Sequence, residues 1–298
     1  MNGRLGVSIV IPTYGRDGVL VDTLDALLRL PSPADEILVI DQTRQHDAPA
    51  QARLGALHAS GAIRWIRQQP PSIPMAMNRG LREAVNDIVL FLDDDIAPEP
   101  GLVAAHRAAQ GSHEDILVAG RVIQPWEEEV DFSTVETFRF AGIRPDWIPD
   151  FMGGNFSVRR PRAVQLGGFD ENFVRVAYRF EAEFAHRFRA AGYRIRFEPE
   201  ACLHHLRVSA GGTRSYGEHL TTIKPDHAVG AYYFALRTRP GGRWLRDFIT
   251  RPIRAVATRH HLRRPWWIPA TLLAEARGML WALRLERAGP RLIDRGAR

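Results

Sequence analysis

Three consecutive aspartates, Asp93-Asp94-Asp95, follow the apolar run Ile88-Val89-Leu90-Phe91-Leu92. Packed like charges raise one another's pKa, so such a triplet is costly unless it is solvated or neutralised. A divalent cation neutralises it: carboxylate oxygens suit Mg2+ or Mn2+, ions that keep waters and bind substrate phosphates. The plainer alternative is a solvated loop capping the helix after Pro98. The position directly after a buried run, with Asp41 ending another, favours the cation. His204-His205 follow Glu198-Pro199 and the short run Ala201-Cys202-Leu203, a comparable strand-end position. A neutral imidazole can join a carboxylate on a metal, although most histidines are structural, and His260-His261 reads as such a pair.

The elements that must position these groups follow from the apolar pattern. Val7-Ser8-Ile9-Val10-Ile11 reads as a buried strand ended by Pro12. After the turn Tyr14-Gly15-Arg16-Asp17, Leu20, Leu24, Leu27 and Leu28 make one helix face, stopped by Pro31 and Pro33. Glu36 to Ile40 is a second strand ending at Asp41, and Ile63 to Ile66 a third. A helix near Pro74–Val85 precedes the strand at Ile88–Leu92. This alternation predicts an α/β fold with a mostly parallel central sheet flanked by helices. Ligands in such sheets sit at the carboxyl ends of the strands, where Pro12-Thr13, Asp41 and the triplet would line one crevice. No Gly-x-Gly-x-x-Gly follows the first strand and no Gly-x-x-x-x-Gly-Lys-Ser/Thr occurs, which disfavours dinucleotide and P-loop sites.

Composition sets the outer bounds. The 298 residues are 45% apolar and 25% charged, which excludes a disordered, collagenous or multi-span membrane protein. The single cysteine, Cys202, excludes a disulfide framework and fits a reducing compartment. No apolar leader follows Met1, so a cytoplasmic location is expected. The net charge of +6 is unevenly spread: residues 239–298 hold 14 Arg against four acids, leaving residues 1–238 at −4. Arg239-Pro240-Gly241-Gly242 suits a boundary between a body (1–238) and an Arg-rich helical extension (239–298).

Taken together, VSIVIPTY (7–14), EILVID (36–41), Asn78-Arg79-Gly80, FLDDD (91–95), GGNFSVRR (153–160), GGFDE (167–171), AAGY (190–193) and His205-Leu206-Arg207 before Gly211-Gly212 resemble family 2 glycosyltransferases of the GT-A fold. The resemblance covers roughly residues 5–238. It implies a nucleotide-diphospho-sugar donor (a UDP-, GDP- or dTDP-sugar). Pro12, Thr13 and Tyr14 would lie beside base and ribose, Asp41 would accept from them, and Asn78-Arg79 would lie near the diphosphate. The triplet matches the family's DxD element, with Asp93 and Asp94 on ribose or sugar and Asp95 on a Mn2+ or Mg2+ that bridges the phosphates. His205, with His204 as runner-up, would complete the metal site. Gly153, Gly154 and Asn155 would form a loop at the sugar or acceptor, or a simple turn into a strand.

Inverting transfer needs a carboxylate to take the acceptor hydroxyl's proton. Counting back from Ala191-Gly192-Tyr193 places Glu181 at the family's usual Asp, with Phe180 where Glu is common. At about 100° per residue, Phe180, Phe184 and Phe188 form one stripe; Glu181 lies near its rim and Glu183 further round, paired at i,i+4 with Arg187. Glu181 is therefore the expected base, and Glu183 the expected solvated salt-bridge residue.

The extension reads two ways. Between 263 and 287, Trp266, Trp267, Leu272, Leu273, Met279, Leu280, Trp281 and Leu283 flanked by Arg suggest an interfacial helix on an anionic membrane, at the inner face of the cytoplasmic membrane. A helical cap on the body, with Arg facing water, fits equally. Processive relatives carry Gln-x-x-Arg-Trp and several spans; here Pro240 precedes Arg243-Trp244, so one sugar per acceptor is expected. Two other classes compete: a sugar-nucleotide nucleotidyltransferase, which would want a Gly-rich basic loop after the first strand, and a non-enzymatic membrane- or nucleic-acid-binding protein using the basic tail. The acidic body speaks against nucleic acid.

Overall fold

A computed structural model describes residues 4–294, excepting the side chains of residues 213 and 214; residues 1–3 of the expected body and 295–298 of the expected extension lie outside it. The first half alternates β1 (Val7–Thr13), α1 (Gly18–Leu28), β2 (Glu36–Asp41), α2 (Ala48–Ala59), β3 (Arg64–Arg67), α3 (Ile73–Glu83) and β4 (Ile88–Leu92). Then come β5 (Ile96–Pro98), α4 (Leu102–Ser112), β6 (Ile116–Ile123), β7 (Asp146–Ile148), β8 (Asn155–Arg159), α5 (Arg160–Gln165), α6 (Phe180–Ala190) and β9 (Arg194–His205). The chain closes with α7 (Val229–Thr238), α8 (Trp244–Val256), α9 (Arg259–Arg263) and α10 (Ile268–Ala288).

One sheet runs β3-β2-β1-β4-β8-β6-β9-β5, with β7 added on β9. The pairs among β3, β2, β1 and β4 are parallel, as the alternation predicts. The second half departs from that expectation: β8 is antiparallel to both β4 and β6, so the sheet is mixed. The cause is the connection. Between Ile123 and Asn155 there is no covering α-helix, and β8 enters the sheet with Asn155 opposite Leu92, at the carboxyl end of β4, so it runs the other way.

Side chains of the central strands alternate between two cores, as a strand's period of two requires. Ile9, Ile11, Val39 and Leu90 face α1, α2 and α4 through Leu20, Leu24, Leu54 and Leu102. Val10, Leu38, Val89 and Phe91 face α3 and a cluster of aromatics that includes Phe156, Phe169 and the α6 stripe Phe180, Phe184, Phe188. Each buried aromatic contributes about 1.5–3 kcal/mol. This layering fixes α6, and with it Glu181, against the sheet.

The extension packs on the body. Tyr232 of α7 donates to the Glu275 carboxylate, which Arg251 of α8 approaches at 3.0 Å. Ala282 and Ile293 join the aromatic-rich core, and the Ile293 N–H donates to the Gly167 carbonyl at 2.9 Å. These contacts are those of the cap. The outer faces still expose Trp266, Leu273 and Leu280. Among the described residues, no helix is long and apolar enough to cross a membrane.

Candidate active site

The carboxyl ends of β1 and β4 open on a cleft of about 590 Å3 whose walls include Pro12, Thr13, Tyr14, the three aspartates, Gly153-Gly154, Glu181 and His205. Its volume lies within the ordinary range for small-molecule sites. Asp94 forms the floor: Thr13 Oγ1 donates to its Oδ2 at 2.7 Å, and Arg16 Nε lies 3.4 Å from its Oδ1. Burial pushes the Asp94 carboxyl up to about 7, against the pull of Thr13 and Arg16 and with help from Asp93 and Asp95.

Asp95 is also buried, but burial is outweighed by the His205 ring, the Arg16 guanidinium and the Val208 N–H, which hold it below the usual carboxylate range. Arg16 Nη2 lies 3.2 Å from Asp95 Oδ2, and Val208 N donates to that oxygen at 2.9 Å. His205 Nε2 lies 3.2 Å from Asp95 Oδ1 and 4.0 Å from Asp93 Oδ2. Ligand atoms of Asp93, Asp95 and His205 all fall within 4.8 Å of one another. His205 Nδ1 lies 3.0 Å from Gln124 Oε1, an acceptor. That contact orients the ring so that Nε2 faces the two carboxylates. Two hard oxygens and one imidazole on that geometry fit Mn2+ or Mg2+. His204 points elsewhere, to Glu99 Oε1 at 3.1 Å.

Gly153 and Gly154 join this cluster to the opposite wall. A Cβ at Gly154 would sit 2.2 Å from Asp93 Oδ2, and one at Gly153 would sit 2.7 Å from Glu181 Oε1. Glycine at both positions lets the turn before β8 pass this close to both carboxylates. Glu181 stands in the first turn of α6, partly open to the cleft. Desolvation pushes its carboxyl up to about 8; its own backbone N–H pulls down, while Asp150 and Asp93 push up. Burial likewise raises Asp150 on the same wall.

Several expected residues lie elsewhere. Asp41 is fully buried, and its carboxylate takes Thr43 N, His46 Nε2, Trp65 Nε1 and Arg67 Nη1 at 2.8–2.9 Å. It organises the β2–β3 end and is not on the cleft wall. Asn78 is buried too, bonded to Phe169 through both its amide atoms, and it pins α3 to the turn before Phe169. Arg79 is exposed and paired with Glu83 at 2.7 Å, away from the cleft. Asn155 donates to the Arg121 and Ala201 carbonyls and meets His106 Nε2 at 2.9 Å, so it ties β8 to its neighbours. Glu183 is paired with Arg187 as expected, but it is 1% exposed and not solvated. Arg187 also donates to the Leu166 and Gly168 carbonyls, so the turn after α5 covers this face of the helix.

The sequence reading missed Arg16, which touches both buried aspartates and the Val208 carbonyl. The available signal was a basic residue in the turn after β1, facing an acidic triplet. It also missed Asp150 and Gln42 on the cleft walls.

The profile of the family described as Glycosyl transferase family 2 matches residues 8–166. The chain is similar to the "Probable glycosyltransferase YdaM" of Bacillus subtilis, with 28% identity over 213 residues, 65% of this chain and 49% of that protein. It spans about half or less of the length of the curated relatives it matches. In fold it resembles the mannosyltransferase PcManGT of Pyrobaculum calidifontis, solved with GDP-Man and Mn2+ (TM-score 0.56, 20% identity, 97% of this chain and 80% of that one). It also resembles S. aureus TarS residues 1–349 with UDP-GlcNAc (TM-score 0.59, 14% identity, 96% of this chain and 92% of that one). These likenesses give the GT-A fold.

Proposed function

The chain belongs to glycosyl transferase family 2, and from that premise we propose that it moves a sugar, with inversion, from a nucleotide-diphospho-sugar to one hydroxyl of an acceptor. The observation that carries this reading is the pairing, in one cleft, of the Asp93-Asp95-His205 cluster with the desolvated Glu181. The donor's nucleoside end lies along Pro12, Thr13 and Tyr14, the strand-end wall. Asp93, Asp95 and His205 hold the cation, and Asp94 reaches the donor from the floor between them. The relatives of this fold solved with GDP-Man or UDP-GlcNAc support a donor of this class. A bound Mn2+ or Mg2+ supplies Lewis-acid stabilisation to the departing diphosphate.

Glu181 takes the acceptor's hydroxyl proton as that oxygen bonds to the anomeric carbon and the diphosphate leaves from the opposite face. Its raised pKa gives it the basicity to hold the proton near neutral pH, and the N–H groups of the α6 first turn steady the ionised form. Arg16 balances the buried Asp94 and Asp95, so the cation site is assembled before ligands arrive. Asp41, Asn78 and Asn155 support the walls by the bonds described above. Transfer is of one sugar per acceptor, since Pro240 stands where processive relatives carry Gln and Trp244 is packed on Phe248 at 4.8 Å.

Peripheral contact with an anionic membrane through residues 263–287 is supported by the exposed Trp266, Leu273 and Leu280 amid arginines. The test of the reaction is the anomeric proton of the first product by NMR. An α-linked donor should yield a β-linked product; retention would refute the single-displacement role given to Glu181.

A further inference from the structure

A second cavity of about 420 Å3 lies between α7, α8, α10 and the 219–227 segment, outside the stretch that matches the family profile. Its walls carry five full cations, Arg179, Lys224, Arg239, Arg251 and Arg254, against Asp247 and Glu275. Arg239 is paired with Asp247 and Arg251 with Glu275. Among the described residues, Lys224 and Arg254 have no carboxylate partner. The floor is apolar: Ala228, which caps α7, and Ala231 and Ala235 within it recur on one face beside Phe234. Cations on the walls and an alanine-lined floor are the chemistry that takes a phosphate ester.

The cavity adjoins the cleft. Tyr178 and Arg179 line both, and they immediately precede the helix that carries Glu181. Gly230 of α7 lets this wall close: a Cβ there would sit 2.3 Å from the Tyr178 carbonyl oxygen. The Arg179 guanidinium lies over the Phe234 ring at 5.2 Å, while its charge also acts on Asp150 and Glu181.

We propose that this cavity is an anion subsite for the acceptor, holding a phosphate ester while the acceptor's hydroxyl reaches Glu181 past Tyr178-Arg179. The inference rests on reading the cleft as the transfer site. Lys224 and Arg254 take the phosphate oxygens, and the α7 floor takes the ester's apolar carbon chain. The acceptor is thereby an anionic amphiphile or a smaller phosphate ester, and a neutral glycoside lacks the group the cavity selects.

Calorimetry on the full chain tests this with hexyl phosphate, inorganic phosphate and neutral hexyl glucoside as probes, and with UDP and GDP plus Mn2+ as the control for the cleft. Hexyl phosphate should bind, and hexyl glucoside should not. The double substitution Lys224→Glu/Arg254→Glu should weaken hexyl phosphate at least tenfold with nucleotide binding unchanged. Both residues are exposed, so folding is spared. Ala231→Leu, which fills the floor, should weaken hexyl phosphate without changing charge. Inorganic phosphate binding as tightly as hexyl phosphate would support a phosphate-only ligand and overturn the role of the floor. Hexyl phosphate that fails to bind, or binds the double variant unchanged, overturns the subsite even when nucleotide binds normally. Variant-sensitive hexyl phosphate binding without any nucleotide binding overturns the cleft reading instead, and leaves an anion site unconnected to transfer.

Discussion

Replacing Glu181 by Gln removes one proton acceptor and leaves the shape of the cleft almost unchanged, so its consequences can be worked from the structure. The carboxyl is pushed from 4.5 up to about 8, chiefly by desolvation. At pH 7 only about one molecule in ten then carries the ionised base, and the transfer rate should climb about tenfold from pH 7 to a plateau above pH 8. A cation held at Asp93 cancels that residue's repulsion and draws the midpoint down, but the desolvation remains. The raised value also bears on stability. Between about pH 4.5 and 8 the folded chain keeps a proton that the unfolded chain has released, so stability falls as pH rises through that window. The full shift is worth ~5 kcal/mol, and water in the open cleft reduces the observable part to on the order of 2 kcal/mol. Glu181→Gln should therefore lose about 10²–10⁴-fold in turnover and yet melt higher at pH 8.5, by on the order of 5 °C. Near pH 4.5 the two proteins should melt together. Turnover at fixed Mn2+ and thermal unfolding across pH 4.5–9 measure both. A variant with full turnover, or one destabilised at every pH, would refute the assignment.

Two substitutions should move the cation dependence in opposite directions. Gly154→Ala drives a Cβ against Asp93 and should weaken Mn2+ binding at least tenfold by calorimetry, with little change in unfolding temperature in EDTA. Arg16→Met leaves the buried Asp94 and Asp95 uncompensated and should cost about 3–5 kcal/mol in EDTA, much of it restored by Mn2+, so its metal-induced melting shift should exceed that of the native chain. For the outer face, Trp266→Ala combined with Leu280→Glu should abolish co-sedimentation with phosphatidylglycerol vesicles and leave transfer to a soluble acceptor intact; undiminished sedimentation would discard that contact.

The fold was legible where local chemistry decides it. Alternating buried runs and helix faces in residues 7–92 located four strands with α1 and α3, and the aspartates after Leu92 pointed to the cleft, whereas Asp41 did not. Strand direction past Ile123 was not legible, because it depends on whether residues 124–154 form a covering helix, and that stretch has no period. At the site, strand ends, a helix rim and the family resemblance together singled out Asp95, His205 and Glu181, which line one cleft. Asp41, Asn78 and Asn155 look the same in sequence, but whether such a side chain faces a ligand or a neighbouring carbonyl depends on distant partners such as Trp65, Phe169 and Ala201. Arg16 was hidden for a related reason: its partners lie 78 residues or more away. Glu183 was misjudged because the turn that buries it comes from outside its helix.

Asp93, Asp95 and His205 would hold the divalent cation through which the cleft binds a nucleoside diphosphate. Calorimetric titration of UDP, GDP and dTDP, each with Mn2+ and with EDTA, into the native chain and into Asp95→Ala tests it most directly. The account predicts that at least one nucleotide binds with Mn2+, weakens more than tenfold in EDTA, and behaves in Asp95→Ala as it does in EDTA. Binding indifferent to Mn2+ and to Asp95, or no binding of any nucleotide by the native chain, would contradict it.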